Sequence, residues 1–284
     1  MYFIEETDKP TKLINSIFPK VILKDNKINI TGLKENIKEK KSIYISKKID
    51  KTLKKTNSNK IVLSKKIQEN EVLKNMLYTY GYDIAEGKWL FEGLSILALN
   101  YIIEKKNLKK EECKISVLVN DLSDYTLENI KSLAQEYKSL NIVTNHIEKF
   151  KKIEQDILEE AGIVITITNN KKKSLSKSNI ILNIDFPSEL LNKYNVNDEA
   201  IIVNICGNIK INKKRFNGIV INDYEINFKE DVLENLAGEG YNKYYKKQIY
   251  EANFYKNIPY RDFCNIIKND KVEICKLNTL NGEI

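Results

Sequence analysis

Short apolar runs alternate with helical patterns between Lys114 and Ile205, and each run ends in small polar residues. Ile115 to Val119 leads into Asn120-Asp121, and Ile142-Val143 into Thr144-Asn145-His146. Ile163 to Ile167 leads into Thr168-Asn169-Asn170, and Ile180 to Ile184 into Asp185. Strands separated by helices predict a doubly wound parallel sheet. The helices are expected over 127–137, with Ile130, Leu133, Ala134 and Tyr137 inward, and over 147–160, with Phe150, Ile153, Ile157 and Leu158 inward. Asp124 or Thr126 can cap the first, and Gly162 ends the second. Further strands are expected at 200–205 and 216–224.

The first hundred residues read as a smaller α/β domain. Val21 to Leu23 and Ile28 to Ile30 flank Asp25-Asn26-Lys27 and predict a hairpin. A strand is expected at 43–45, a short helix at 49–53 and a strand at 61–63. A helix follows at 71–78, with Val72, Leu73, Met76 and Leu77 on one face. From about Lys88 to Lys105, Leu90, Leu94, Leu97 and Tyr101 repeat at helical spacing, and Phe91, Ile96, Leu99 and Ile103 widen the stripe. A helix apolar over most of its circumference is buried on several sides, so this one reads as a connector between two domains. Beyond Leu233 a helix carrying Tyr241, Tyr245, Ile249 and Ala252 on one face is expected to return to the first domain. The fold class is thus α/β with two α/β domains. The expected organisation is an N-terminal domain (1–87), a connector helix (88–107), a doubly wound domain (108–228) and a helical C-terminal segment (229–284).

Charge changes this picture little. The net charge is +8 over 284 residues, but Arg215 and Arg261 are the only arginines. Lysine, isoleucine and asparagine abound together, as an AT-rich genome would produce, so codon bias accounts for much of the excess. Nucleic acid is therefore the least favoured partner, although lysines interleave with tyrosines from Lys243 to Tyr250. Cys113, Cys206, Cys264 and Cys275 have no metal-knuckle or redox spacing, and one histidine cannot complete a His/Cys zinc site. The N-terminus has no signal-peptide pattern, and the apolar stretch from Trp89 to Ile103 is too short to cross a bilayer. A cytoplasmic protein is expected.

Side chains just past the strands of a parallel sheet converge on one crevice. The candidate ligand-binding set is Asn120, Asp121, Ser123, Thr144, Asn145, His146, Thr168, Asn169, Asn170 and Asp185, groups suited to a small polar ligand. Asn and Asp also gather at strand-to-helix turns for purely local reasons. His146, the only imidazole, has no nucleophile partner in the sequence. Lys171, Lys172 and Lys173 stand at a helix start, where cations oppose the macrodipole unless an anion sits there, so they form a possible anion clamp.

The connector helix, the βαβαβ run, Ile163-Val164-Ile165-Thr166-Ile167-Thr168-Asn169 and Asp185-Phe186-Pro187 together resemble the shikimate-dehydrogenase and glutamyl-tRNA-reductase type of Rossmann domain. The run from Glu86 to Phe91 is similar to the glycine-containing entry of the connector helix in shikimate dehydrogenases. The resemblance spans roughly residues 80 to 205 and implies an N-terminal substrate domain, NAD or NADP as cofactor, and reductase chemistry. The chain departs from it at the first turn, where the family has glycines and this sequence has Asn120-Asp121-Leu122-Ser123-Asp124-Tyr125-Thr126. Asp121 and Asp124 would stand where a diphosphate needs bare backbone. Asn145 and His146 replace the family's ribose-binding acid or phosphate-binding arginine. Lys65 and Lys66 follow a strand but have no matching aspartate, so no catalytic residue is carried over. The expectation is a Rossmann-like protein with no dinucleotide cofactor, binding a small polar molecule or a protein partner without catalysis. The alternatives are an NAD(P)-dependent reductase with an aberrant phosphate turn and, third, a nucleic-acid-associated protein.

Overall fold

The structure is a computed structural model. It describes residues 1–7, 19–33, 38–56, 58–205, 207–237, 241–254, 258–279 and 282–284. Cys206 and the middle of the expected C-terminal helix (238–240) lie outside the described residues. The chain forms two compact units, Met1–Gly87 with Lys229–Lys256, and Lys88–Phe228 with Asn257–Ile284.

The first unit holds a five-stranded sheet in the order β2-β3-β1-β4-β5. Its strands are β1 (Tyr2–Thr7), β2 (Val21–Lys24), β3 (Lys27–Thr31), β4 (Lys60–Leu63) and β5 (Asp83–Ile84). β2 and β3 make the expected hairpin, with Asp25 at φ 54° in the turn. β1 lies parallel to both β3 and β4. No strand was expected there, because Phe3, Ile4 and Glu5 are buried in succession and give no alternation. Residues 43–45 are not a strand: one helix, α1, runs Glu39–Leu53. Its buried residues Ser42, Ile45, Ser46, Ile49 and Leu53 follow helical spacing, and small serines kept that stripe from reading as apolar. Ile45, Ile49 and Leu53 join Ile4, Ile28, Ile61 and Leu63 in the core. The short helix α2 (Lys65–Gln68) and then α3 (Glu71–Thr79) follow β4, and α3 turns Leu73 and Leu77 inward.

The second unit opens with α4 (Lys88–Gly93) and α5 (Ser95–Lys105), where the sequence suggested one helix. The interruption falls beside Gly93, where an added Cβ would lie 2.6 Å from the Phe263 ring. The parallel strands are β6 (Lys114–Leu118), β7 (Ser139–Val143), β8 (Thr166–Thr168), β9 (Ile180–Asn183), β10 (Ile201–Asn204) and β11 (Ile219–Asn227). Between them run α6 (Asp124–Glu136), α7 (Ile147–Ala161), α8 (Lys171–Lys177) and α9 (Ser188–Lys193). Across the sheet the strands follow β8-β7-β6-β9-β10-β11, which is 3-2-1-4-5-6 in order of appearance. The second unit is a Rossmann-type domain. Ile115, Val117, Ile142 and Leu182 are buried on one side of the sheet, and Leu118, Ile181, Ile202 and Val220 pack with Leu175 of α8 and Leu191 of α9 on the other. Gly162 at φ 65° closes α7 as expected, while Leu158 is 48% exposed rather than inward.

The segment after 229 is helical only in part. In the first unit it supplies α10 (Glu230–Ala237) and α11 (Lys246–Asn253), separated by a 3-10 turn at Tyr241–Lys243. That turn resets the phase. Tyr241 and Tyr245, expected inward, are partly exposed, whereas Tyr244 and Tyr250 are buried. In the second unit it supplies α12 (Tyr260–Asn269), β12 (Glu273–Thr279) and β13 (Gly282–Glu283), with β12 antiparallel to β11. A register shift beside Ile226 puts both Ile274 and Leu277 inward although they are three apart, and this hides β12 from a period-two reading.

Gly93→Ala is expected to lower stability by about 1–3 kcal/mol, because the Phe263 ring is itself held by Trp89, Tyr125 and Tyr260. Urea unfolding measures it, and a neutral result would show that the ring can yield. A second expectation concerns pH. Burial, then the hydrogen bond and charge of Asp50, push the Tyr82 phenol from 10.0 up to about 12. The unfolded phenol releases its proton near 10 while the folded one keeps it, so this contribution is complete below pH 10 and fades between 10 and 12. Tyr82→Phe should therefore lose less stability than the parent over that interval; equal slopes would refute the assignment.

Candidate functional site

The C-terminal edge of the second sheet is where the candidate residues gather, and most of them bond to one another. The turn after β6 is held by the Asp185 carboxylate, which comes from the turn after β9. Asp185 Oδ2 accepts from the backbone N–H of Asn120 at 2.7 Å and from that of Asp121 at 2.8 Å. Its Oδ1 accepts from the Asn120 N–H at 3.0 Å and from Asn120 Nδ2 at 3.2 Å. Asn120 Oδ1 in turn accepts from the Asn145 N–H at 3.0 Å. One aspartate and one asparagine thus tie together the turns after β6, β7 and β9.

The start of α6 is occupied in the same manner. The cap is Ser123, not Asp124 or Thr126: its Oγ accepts from the Thr126 N–H at 3.0 Å. The Glu92 carboxylate of α4 accepts from both Ser123 Oγ and Thr126 Oγ1. An anion of the chain's own therefore stands at the positive end of the helix.

Other candidates serve their local turns. Thr144 Oγ1 accepts from the His146 N–H, and Thr168 Oγ1 from the Asn170 N–H, both at 3.0 Å. Asn170 caps α8 through the Lys173 N–H at 3.0 Å. The Asn169 carbonyl accepts from the Lys171 N–H at 2.9 Å. The three lysines do not face one way: Lys171 is buried, with its ammonium 5.8 Å from the Phe186 ring centre, while Lys172 and Lys173 are exposed.

Asp121, Asn145 and His146 are exposed. With Ile147, Glu148 and Lys149 they line an open depression of about 680 Å³. Asp121 is exposed, and its Oδ1 pairs with Lys149 Nζ at 3.0 Å. Both signs of charge, an amide and an imidazole thus share one shallow surface. Among the described residues no group of His, Cys, Asp and Glu side chains could hold a metal ion. Among those residues, too, no helix is long and apolar enough to cross a membrane.

Sequence reasoning missed a second polar feature at this edge. Asn183 of β9, Asn204 of β10 and Asn222 of β11 stand in register. Asn183 Nδ2 donates to Asn204 Oδ1 at 2.8 Å, and Asn204 Nδ2 to Asn222 Oδ1 at 2.9 Å. Asn222 closes the row by exchanging two bonds with the backbone of Ile209. The signal available was one asparagine directly after each of three apolar triplets, Ile180–Leu182, Ile201–Val203 and Ile219–Ile221.

No known family model matches this chain, and no curated protein matches it. Among solved structures it is similar to D-mandelate dehydrogenase from Rhodotorula graminis, at 9% identity and TM-score 0.37, over 92% of this chain and 93% of that one. It is similar also to L-tryptophan dehydrogenase from Nostoc punctiforme, at 10% identity and TM-score 0.36, over 86% and 77%. Shikimate 5-dehydrogenase from Listeria monocytogenes, of a family that the sequence resembles, matches at 9% identity and TM-score 0.28, over 63% and 68%. The strand order and its hydrogen bonds, rather than these likenesses, carry the fold assignment.

Asp185→Ala is expected to cost about 3–5 kcal/mol, since three donors lose a charged acceptor. Hydrogen exchange at the Asn120 and Asp121 amides should accelerate with it. Unchanged protection at both amides would refute the role given to Asp185.

Proposed function

We propose that this chain is a Rossmann-type protein that works without a dinucleotide and binds a small polar ligand at the open depression beside Asp121, Asn145 and His146. The supporting observation is the Asp185 carboxylate on the Asn120 and Asp121 amides. In a dinucleotide-binding domain the first βα turn brings bare backbone against the pyrophosphate, and the helix start faces it. In this chain both positions face a carboxylate of the protein: Asp185 at the turn and Glu92 at the helix. A diphosphate entering there would have to displace one acid and lie beside another. The role is binding rather than hydride transfer. The depression supplies what a small ligand carrying both charge signs needs: Asp121 and Glu148 for a cation, Lys149 for an anion, and Asn145 and His146 for orienting hydrogen bonds.

Fluorescence titration with NADH and NADPH is the test. Neither should bind the full chain saturably below millimolar concentration. Micromolar binding by either would overturn this reading.

A further inference from the structure

A second depression, of about 690 Å³, lies by the turns that lead into β10 and β11, at the opposite end of these strands from the site above. The chain builds it firmly. The Asn217 N–H donates to the Asp198 carbonyl at 2.7 Å, and the Ile219 N–H to the Ala200 carbonyl at 3.0 Å. Gly218 permits this approach, since a Cβ there would lie 2.2 Å from the Ala200 carbonyl oxygen. The Phe216 N–H donates to the Lys213 carbonyl at 3.2 Å and closes the turn, while the Phe216 ring packs on the core. Lys213, Lys214 and Arg215 are therefore carried on an anchored turn.

All three line the depression, with Asp198 and Glu199 as its only acids, so cations exceed anions by one. Lys213 is the unusual member. Its ammonium is covered from solvent and has no hydrogen-bond partner among the described residues. Burial pushes its pKa below the ordinary lysine value, against the pull of Asp198. A covered ammonium without an acceptor is costly, and turning the flexible lysine chain out to meet a ligand's oxygens in the depression removes that cost. Arg215 adds a second kind of donor. It is one of two arginines in a chain whose positive charge is otherwise lysine, and its planar fork suits a tetrahedral oxyanion.

We propose that this depression binds the phosphate group of a small ligand, with Lys213 and Arg215 as the principal donors and Lys214 at the rim. Asp198 and Glu199 make it selective for a compact group that can meet the cations without lying along the acids.

Thermal melts of the full chain at constant ionic strength, with chloride replaced by inorganic phosphate or by glycerol 3-phosphate, test this. Melting temperature should rise saturably with at least one of them. A response to phosphate alone points to the free ion, and a stronger response to the ester points to a phosphorylated metabolite. Lys213→Met and Arg215→Gln should each weaken the apparent affinity tenfold or more. Arg215 is exposed, so its variant decides the matter even if Lys213→Met fails to fold. The proposal is overturned if neither ligand shifts the melt, if foldable variants respond as the parent does, or if an oligothymidylate binds through these residues while neither phosphate ligand does.

Discussion

A single carboxylate organises the C-terminal sheet edge of the Rossmann-type unit. Asp185 reaches across from the turn after β9 and takes the amides that begin the turn after β6. These amides point outward because β6 ends there, and a parallel strand leaves such groups to whatever lies past its end. Most of the edge follows from that contact. Once Asp185 holds Asn120, the Asn120 amide oxygen is placed for the Asn145 N–H, and the turn after β7 is fixed in its turn. The side chain of Asp121, whose amide is held, is turned out to Lys149.

The second half of the edge is filled by the asparagine row. Asn183, Asn204 and Asn222 bond in sequence, and the first two are fully buried. Buried amides are stable only when their partners are complete, and here each satisfies the next and the last satisfies backbone. Two polar assemblies therefore occupy the edge where open α/β domains leave a crevice, while the Asp121–Lys149 side stays open.

The parts of this arrangement differ in how far they show in the sequence. β6, β7, β9 and β10 were legible as short apolar runs leading into polar residues, and Gly162 marked its helix end, whereas the third strand, expected at 163–167, is Thr166–Thr168, with Val164 before it exposed. The gathering of polar residues at the strand ends was legible too, but their employment was not. Asp185 and Asn120 are 65 residues apart, and nothing local distinguishes an aspartate that ends a strand from one that binds a distant amide. Ser123 caps α6, yet its capping neighbours Asp124 and Thr126 were favoured in the sequence, since the choice depends on where the first turn begins. In the first unit, serines in the buried stripe of α1 disguised a helix as a strand and a fragment. β12 was hidden because its bulge breaks the alternation on which strand reading depends.

The contest between Asp185 and an outside anion can be weighed. Hydrogen bonds to a charged acceptor contribute about 1.5–3 kcal/mol each, and every ~1.4 kcal/mol is a factor of ten in a dissociation constant. Asp185 accepts from two backbone amides and one side-chain amide, so replacing it forfeits several such bonds unless the newcomer makes them all again. The newcomer must also give up free translation, which Asp185, already tethered, does not. A dinucleotide gains its affinity in the glycine-rich form of this fold because those amides wait for it unpaired. With those amides already bound, and Glu92 at the start of α6, a second anion entering this edge would meet two carboxylates of the chain itself.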